Sequence, residues 1–223
     1  MKQYNGEKAI ISLTSWKARI NTVSKTIYSL IKHCKDFHIV LVLSEEEFPK
    51  KEAELPENLL SFIDMDLIEI LWVYKNYKSF KKWIFTANKY PKLPVISADD
   101  DCVYTCNYAQ YLYEKWLSLE NKNVSIRWSL YKNKSYTPSG ASNLYYGITD
   151  ISLVTTLPED IINASLDDDY FGSYFKKINY QCTYYTDIQI KPFIFHDDIE
   201  PLTLKNFKEN SVYRKGFYVG HKQ

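Results

Sequence analysis

Leu93-Pro94-Val95-Ile96-Ser97-Ala98-Asp99-Asp100-Asp101 joins an apolar run directly to three consecutive carboxylates. The stretch Pro94 to Ala98 reads as a buried strand, which places the aspartates at its carboxyl end. Like charges a few ångströms apart repel one another, so such a cluster is costly without a counter-charge. A hard divalent cation is the simplest remedy, and it would bring an anionic ligand such as a diphosphate with it. The competing reading is a solvated strand-to-helix turn, in which Asp101 caps a helix near Tyr108.

Working outward, Glu7 to Thr14 reads as a strand, since Ala9, Ile10, Ile11 and Leu13 form a nearly continuous apolar run. Thr22 to His33 places Val23, Ile27, Leu30 and Ile31 at helical spacing. His38 to Leu43 is apolar on both faces, too much so for an exposed edge, and Leu67 to Val73 is a third strand. Ser79 to Tyr90 precedes the aspartate strand as a helix. Strands that alternate with helices and are buried on both faces form a mostly parallel sheet covered on each side. Ligands of such sheets gather beyond the carboxyl ends of the strands. Thr14-Ser15-Trp16, Ser44 and the aspartates should therefore converge there. Further on, Asn107 to Leu119 reads as a helix, and Asn121 to Asp150 is turn-rich and aromatic without a clean period. Pro158 to Phe175 carries a second acidic cluster, Asp167-Asp168-Asp169, and Ile188 to Phe195 is a short strand that ends at His196. No repeat or linker separates the halves, so residues 1–223 are expected to form a single domain.

Composition narrows the function classes. The 28 Lys and Arg nearly cancel the 27 Asp and Glu across 223 residues, which gives no field for a nucleic-acid backbone or an anionic membrane. Met1 to Gly6 has no apolar core, so no signal peptide is expected, and no run is long enough to span a bilayer. The expected compartment is the cytoplasm, with peripheral docking at the inner membrane face compatible with the aromatic loops. Cys34, Cys102, Cys106 and Cys182 fit that compartment as free thiols. Cys102 and Cys106 lack the second Cys/His pair that a structural zinc needs. Abundant Tyr, Lys, Asn and Ile and scarce Gly and Ala suit an AT-rich gene.

Several stretches, in order, carry a family resemblance. Ile11-Ser12-Leu13-Thr14-Ser15-Trp16-Lys17-Ala18-Arg19-Ile20, Leu43-Ser44-Glu45-Glu46-Glu47-Phe48-Pro49, Ser79-Phe80-Lys81-Lys82 and Ala98-Asp99-Asp100-Asp101-Cys102-Val103-Tyr104 resemble bacterial sugar-nucleotide glycosyltransferases of the GT-A type, family 2-like. Leu166-Asp167-Asp168-Asp169-Tyr170 resembles the Asp-Asp-x-aromatic motif that follows the acceptor loop in these enzymes. The likeness is ordered over residues 7 to 120 and patchy to about 175. It implies a GT-A fold, α/β and Rossmann-like, with a nucleotide-sugar half at about residues 7–106 and an acceptor half at about 107–223.

The resemblance also implies site roles. Asp101 would be the principal ligand of Mn²⁺ or Mg²⁺ on the diphosphate of a nucleotide sugar, a UDP-sugar foremost. Asp99 would face the metal or the ribose, Asp100 would lie beside them on the donor, and His196 would be a late metal ligand. Thr14, Ser15 and Trp16 would line the donor side. Arg19 could hold a phosphate bidentately, and one of Lys81 and Lys82 could reach the donor. Asp168 would be the general base of an inverting transfer, with Asp167 orienting the acceptor hydroxyl. Each has a plainer reading: an acidic helix start for Asp167 and Asp168, an ordinary hydrogen bond for His196, solvated lysines for the pair. Arg127-Trp128 matches a basic pair of the family and has no derivable role, and Tyr131, Tyr136, Tyr145 and Tyr146 are either a sugar platform or core.

One stretch departs from the pattern. Relatives carry a glycine-rich turn and a Leu-Tyr-Pro-Pro run where this chain has Gly140-Ala141-Ser142-Asn143-Leu144-Tyr145-Tyr146-Gly147. Losing glycines that let a backbone approach a ligand implies a reshaped acceptor side. The resemblance implies transfer of a sugar to a hydroxyl of a surface glycan precursor, the acceptor being a glycan or lipid-linked glycan in capsule or lipooligosaccharide synthesis. A Mg²⁺-dependent phosphohydrolase and a non-catalytic glycan-binding transferase fold are the alternatives.

Overall fold

The computed structural model describes residues 7–128, 142–185 and 193–195. Its centre is a seven-stranded sheet that begins with β1, Ile10–Thr14, every residue of which is buried. Helix α1, Val23–His33, crosses to β2, His38–Ser44, whose Ile39 to Ser44 are buried throughout. Strand β2 pairs in parallel with β1, Ile11 opposite Ile39 and Leu13 opposite Leu41. Its continuous apolar run is explained by its interior position. Helix α2, Glu57–Asp64, leads to β3, Glu69–Val73, a half-exposed strand at the sheet edge. Helix α3, Lys81–Lys89, returns the chain to β4, Val95–Ser97, parallel to β1 on its other side.

The sheet does not stop at β4. After a short strand β5, Cys102–Tyr104, and helix α4, Tyr108–Leu117, the aperiodic stretch contributes two strands. These are β6, Val124–Trp128, and β7, Asn143–Tyr145. Strand β7 runs against both neighbours, with Ile96 of β4 and Ile126 of β6 each opposite Leu144. Helices α5 (Ser152–Thr155), α6 (Glu159–Ala164) and α7 (Asp167–Lys177) precede β8, Gln181–Tyr185, which pairs in parallel with β6. The order is β3-β2-β1-β4-β7-β6-β8, and β7 alone is reversed. Strand β9, Phe193–Phe195, pairs antiparallel with β5 outside this sheet.

Alternation along the strands divides the core in two. Ile11, Leu13, Ile39, Leu41, Leu43 and Ile96 face α1 and α4. Ile10, Val40 and Val42 point the other way, and on that same face Val95 and Tyr145 meet α3 and α7. Period-2 side-chain direction dictates this split. The second face is held by aromatic packing: Trp83 of α3 stacks on Tyr145 at 4.2 Å between ring centroids and meets Phe171 of α7 at 4.7 Å. Ser12 secures α3 to the sheet, donating its hydroxyl to the Lys82 carbonyl at 2.6 Å. These contacts fix where α3 and α7 begin. Both starts lie over the carboxyl ends of the parallel strands.

A candidate active site at the sheet rim

Three chain segments meet beyond the ends of β1 and β4. Asp100 is turned inward: its carboxylate accepts from Arg19 at 2.8 Å and from the Ser15 hydroxyl at 2.7 Å, and its backbone carbonyl accepts from Thr26. Arg19 and Asp100 are both buried. Arg19 also reaches Asp101 at 3.3 Å. Asp99 is more open and is gripped by Lys82 of α3 at 2.5 Å, while its backbone N–H donates to the Tyr104 hydroxyl. The counter-charge that the carboxylates require is therefore supplied within the chain by Arg19 and Lys82. The helix-capping reading of Asp101 does not hold. Asn107 caps α4, its side chain accepting from the Gln110 N–H at 3.0 Å.

Lys82 is the hinge between the two acidic clusters. It lies 4.0 Å from Asp167, which opens α7 with Asp168 and Asp169. A carboxylate in a first turn is favourable, and that much is an acidic helix start. Asp167, however, is buried, unlike a solvated cap. Burial pushes the Asp167 carboxyl up against the pull of Lys82. Burial, and then the neighbouring Asp167, raise Asp168 well above the ordinary range, with Lys82 and Arg127 opposing. The two carboxyls titrate as a pair. Burial alone would lower Lys82, but Asp99, Asp167 and Asp168 together hold its ammonium charged.

The remaining sequence candidates fall on either side of this core. Ser15 sits in it, through Asp100. The Thr14 hydroxyl instead donates to the Val42 carbonyl at 2.7 Å, a bond internal to the sheet. Trp16 is half-buried just beyond β1, and its indole N–H is buried without a hydrogen-bond partner among the described residues. Lys81 diverges from Lys82. It donates to Asn76 and to the Lys78 carbonyl, each at 3.1 Å, and lies 3.8 Å from Glu47. Burial lowers its pKa to about 8, and Glu47 only partly restores it. Ser44 bonds Glu47 at 3.0 Å and so supports that lysine. His196, Tyr131 and Tyr136 lie outside the described residues. Tyr145 is core, stacked beneath Trp83. Arg127, which had no role from sequence, acts on Asp168. The family likeness of Arg127-Trp128 marked the residue but not its role, because its neighbour is some forty residues away along the chain.

The rim can hold a divalent cation. Oxygens of Asp99 and Asp101 and the sulfur of Cys102 lie within 4.8 Å of one another. Burial, and then Asp99 and Asp101, push the Cys102 thiol up, and sulfur is in any case a soft donor that hard cations do not favour. The usable ligands are two hard carboxylates, a set suited to Mg²⁺ or Mn²⁺ rather than zinc. Arg19 pairs with Asp100 and Asp101, and Lys82 is shared between Asp99 and Asp167.

No protein-family model and no curated protein matches this sequence. Among solved structures, the chain is similar to a mannosyltransferase, PcManGT from Pyrobaculum calidifontis in complex with GDP-Man and Mn²⁺, with TM-score 0.51 and 13% identity. That likeness covers 81% of this chain and 55% of that one, so this chain spans about half the length of the mannosyltransferase. It is also similar to the glycosyltransferase GlyE of Streptococcus pneumoniae TIGR4, with TM-score 0.46, 14% identity, and coverage of 97% and 50% respectively. A cytidylyltransferase of Leptospira borgpetersenii aligns with TM-score 0.48, 10% identity, and coverage of 84% and 72%. The fold is the GT-A-type α/β fold expected from the sequence.

Proposed function

We propose that this protein is a metal-dependent, nucleotide-sugar glycosyltransferase that works with inversion. The observation that carries the reading is the meeting of Asp99 and Asp101 with Asp167 and Asp168 across one buried lysine, at the rim of a GT-A-type sheet. Bound there, Mn²⁺ or Mg²⁺ would stabilise the negative charge that grows on a departing nucleoside diphosphate. Asp99 and Asp101 would hold it. Arg19 and Ser15 do not touch the donor in this reading; they lock Asp100, and with it the backbone that presents Asp99 and Asp101.

Asp168 takes the proton of the acceptor hydroxyl as that oxygen attacks the anomeric carbon. Its raised pKa makes it a stronger base than a surface aspartate, and a group matched to the operating pH contributes about 10²- to 10⁴-fold. Asp167 and Arg127 steer its ionisation. The donor is a nucleoside-diphosphate sugar, with a UDP-sugar or GDP-sugar as the first choices, and the acceptor is a hydroxyl of a surface glycan or lipid-linked glycan precursor. No helix among the described residues is long and apolar enough to cross a membrane. A phosphohydrolase is less well supported, because the end of β1 offers only the hydroxyls of Thr14 and Ser15, both engaged internally.

A thermal-shift panel of UDP-, GDP-, CMP- and dTDP-sugars with Mn²⁺ tests the reading. At least one should raise the melting temperature of the wild type, and Asp101→Ala should lose that response. A ligand at 100 times its Kd adds about 2.7 kcal/mol to native stability. If no member of the panel shifts the wild type, with or without Mn²⁺, the proposal fails.

A further inference from the structure

Asn143 is wholly buried, and neither its amide nitrogen nor its amide oxygen has a hydrogen-bond partner among the described residues. Leaving both ends of a buried amide unpaired is costly, so the group calls for a reason. Position supplies one. Strand β7 is reversed, so its first residue lies at the rim where β4 ends. The backbone N–H of Asn143 donates to the Ser97 hydroxyl at 3.2 Å, and its partner across β6 is Arg127. Cross-strand partners and residues two apart share a face. Asn143 therefore lies on the face of Tyr145, Trp83 and α7, one step nearer the rim than Tyr145. Asp168 and Asp167 act on the Tyr145 hydroxyl. That hydroxyl lies near the Asn143 amide without reaching hydrogen-bond geometry.

We infer that Asn143 reads a sugar hydroxyl next to the base, its amide both donating to and accepting from the bound pyranose. The inference rests on the transferase reading above and deepens it. An amide is one of the few uncharged groups that can do both at once, and a hydroxyl-bearing ring is the ligand that asks for both. Arg127 and the two carboxylates beside it cannot serve in this way, since each offers only one polarity when ionised.

The test uses Asn143→Leu, which keeps the branched shape at a somewhat larger volume and removes both polar ends, with Asn143→Ala as a second variant should leucine not pack. Unliganded melting temperature is read first: replacing an idle buried amide with an apolar group of its shape should leave Asn143→Leu as stable as the wild type or more so. Calorimetry in Mn²⁺ then compares UDP and GDP with their glucose and mannose conjugates. Single-turnover transfer to methyl glycosides follows. If the donor sugar is read, nucleoside-diphosphate affinity is unchanged and nucleotide-sugar affinity falls about three- to ten-fold. If the acceptor is read, both affinities hold and transfer falls by the same factor while donor hydrolysis persists. Variants that match the wild type in nucleotide-sugar affinity and in transfer overturn the inference and leave the transferase reading intact. Where the thermal-shift panel selects a CMP- or dTDP-sugar, that sugar nucleotide and its parent nucleotide take the place of these four, and a wild type that binds no member of the panel sinks both.

Discussion

Replacing Lys82 by Met should destabilise the protein in a way that manganese repairs. The ammonium lies 2.5 Å from Asp99 and 4.0 Å from Asp167, and its side chain is 11% exposed. At an effective dielectric of about 20, a unit pair at about 4 Å is worth about 4 kcal/mol before desolvation is subtracted. Removing one member of a buried pair costs about 3–5 kcal/mol, because the other charge is left behind. Asp99 keeps 26% of its side-chain surface, so solvent relieves part of that and about 3 kcal/mol is the reasonable figure. For a chain of this size that lowers the melting temperature by about 6–12 °C. Mn²⁺ can then take the ammonium's place against Asp99, so it should raise the variant's melting temperature more than the wild type's. The assay is thermal denaturation by circular dichroism in chelator and in a manganese series, with no substrate present. A variant that melts with the wild type, or that gains no more from manganese than the wild type does, refutes the reasoning.

Asp168→Asn should abolish turnover and spare nucleotide-sugar affinity, measured by calorimetry and single-turnover transfer. The same change should stabilise the fold at neutral pH: a carboxyl raised in the folded state favours folding below its unfolded pKa, and that contribution is lost as pH rises through the folded one. Wild type and variant should therefore melt alike in acid and diverge as pH increases. Lys81, buried and with a pKa of about 8, gives the opposite slope. The unfolded chain holds a proton that the folded chain sheds between about pH 8 and 10.5, so stability should rise across that window by about 3 kcal/mol, and Lys81→Met should lack that increment in a pH series of urea melts. Asp100→Asn should lower stability by about 3 kcal/mol in urea denaturation, since it removes the carboxylate charge 2.8 Å from the buried Arg19 and leaves the longer Asp101 contact at 3.3 Å.

The parallel half of the fold was legible because its signals are local. His38 to Leu43 and Pro94 to Ala98 are apolar on both faces, and only an interior strand requires that. Asp99 to Asp101 at a strand end announced the rim for the same reason. The second half was opaque. Strand β7 is three residues long, and Asn143-Leu144-Tyr145 offers no period to read; its place is set by pairing with β4 and β6, which are far off along the chain. The site shows the same division. Asp99, Asp101, Asp167 and Asp168 stood out as clustered carboxylates, whereas their sorting by role depended on partners that only folding supplies. Ser15 and Arg19 turn out to belong to Asp100, and two adjacent lysines serve different carboxylates. Adjacent lysines on a helix point about 100° apart, so their divergence follows from geometry, but which one faces the rim does not.

Strand β4 has a further implication for how the polypeptide is made. Its free side is closed by residues that emerge almost fifty positions later, when Leu144 arrives opposite Ile96. A nascent chain, or a product of premature termination, that ends short of β7 would present Val95 to Ser97 as an unpaired apolar ribbon, which is the form of edge that recruits other strands. The two stretches of sequence flanking that seam are thus obliged to be synthesised together, and an attempt to express the segment through β4 alone should yield aggregate rather than a soluble fragment.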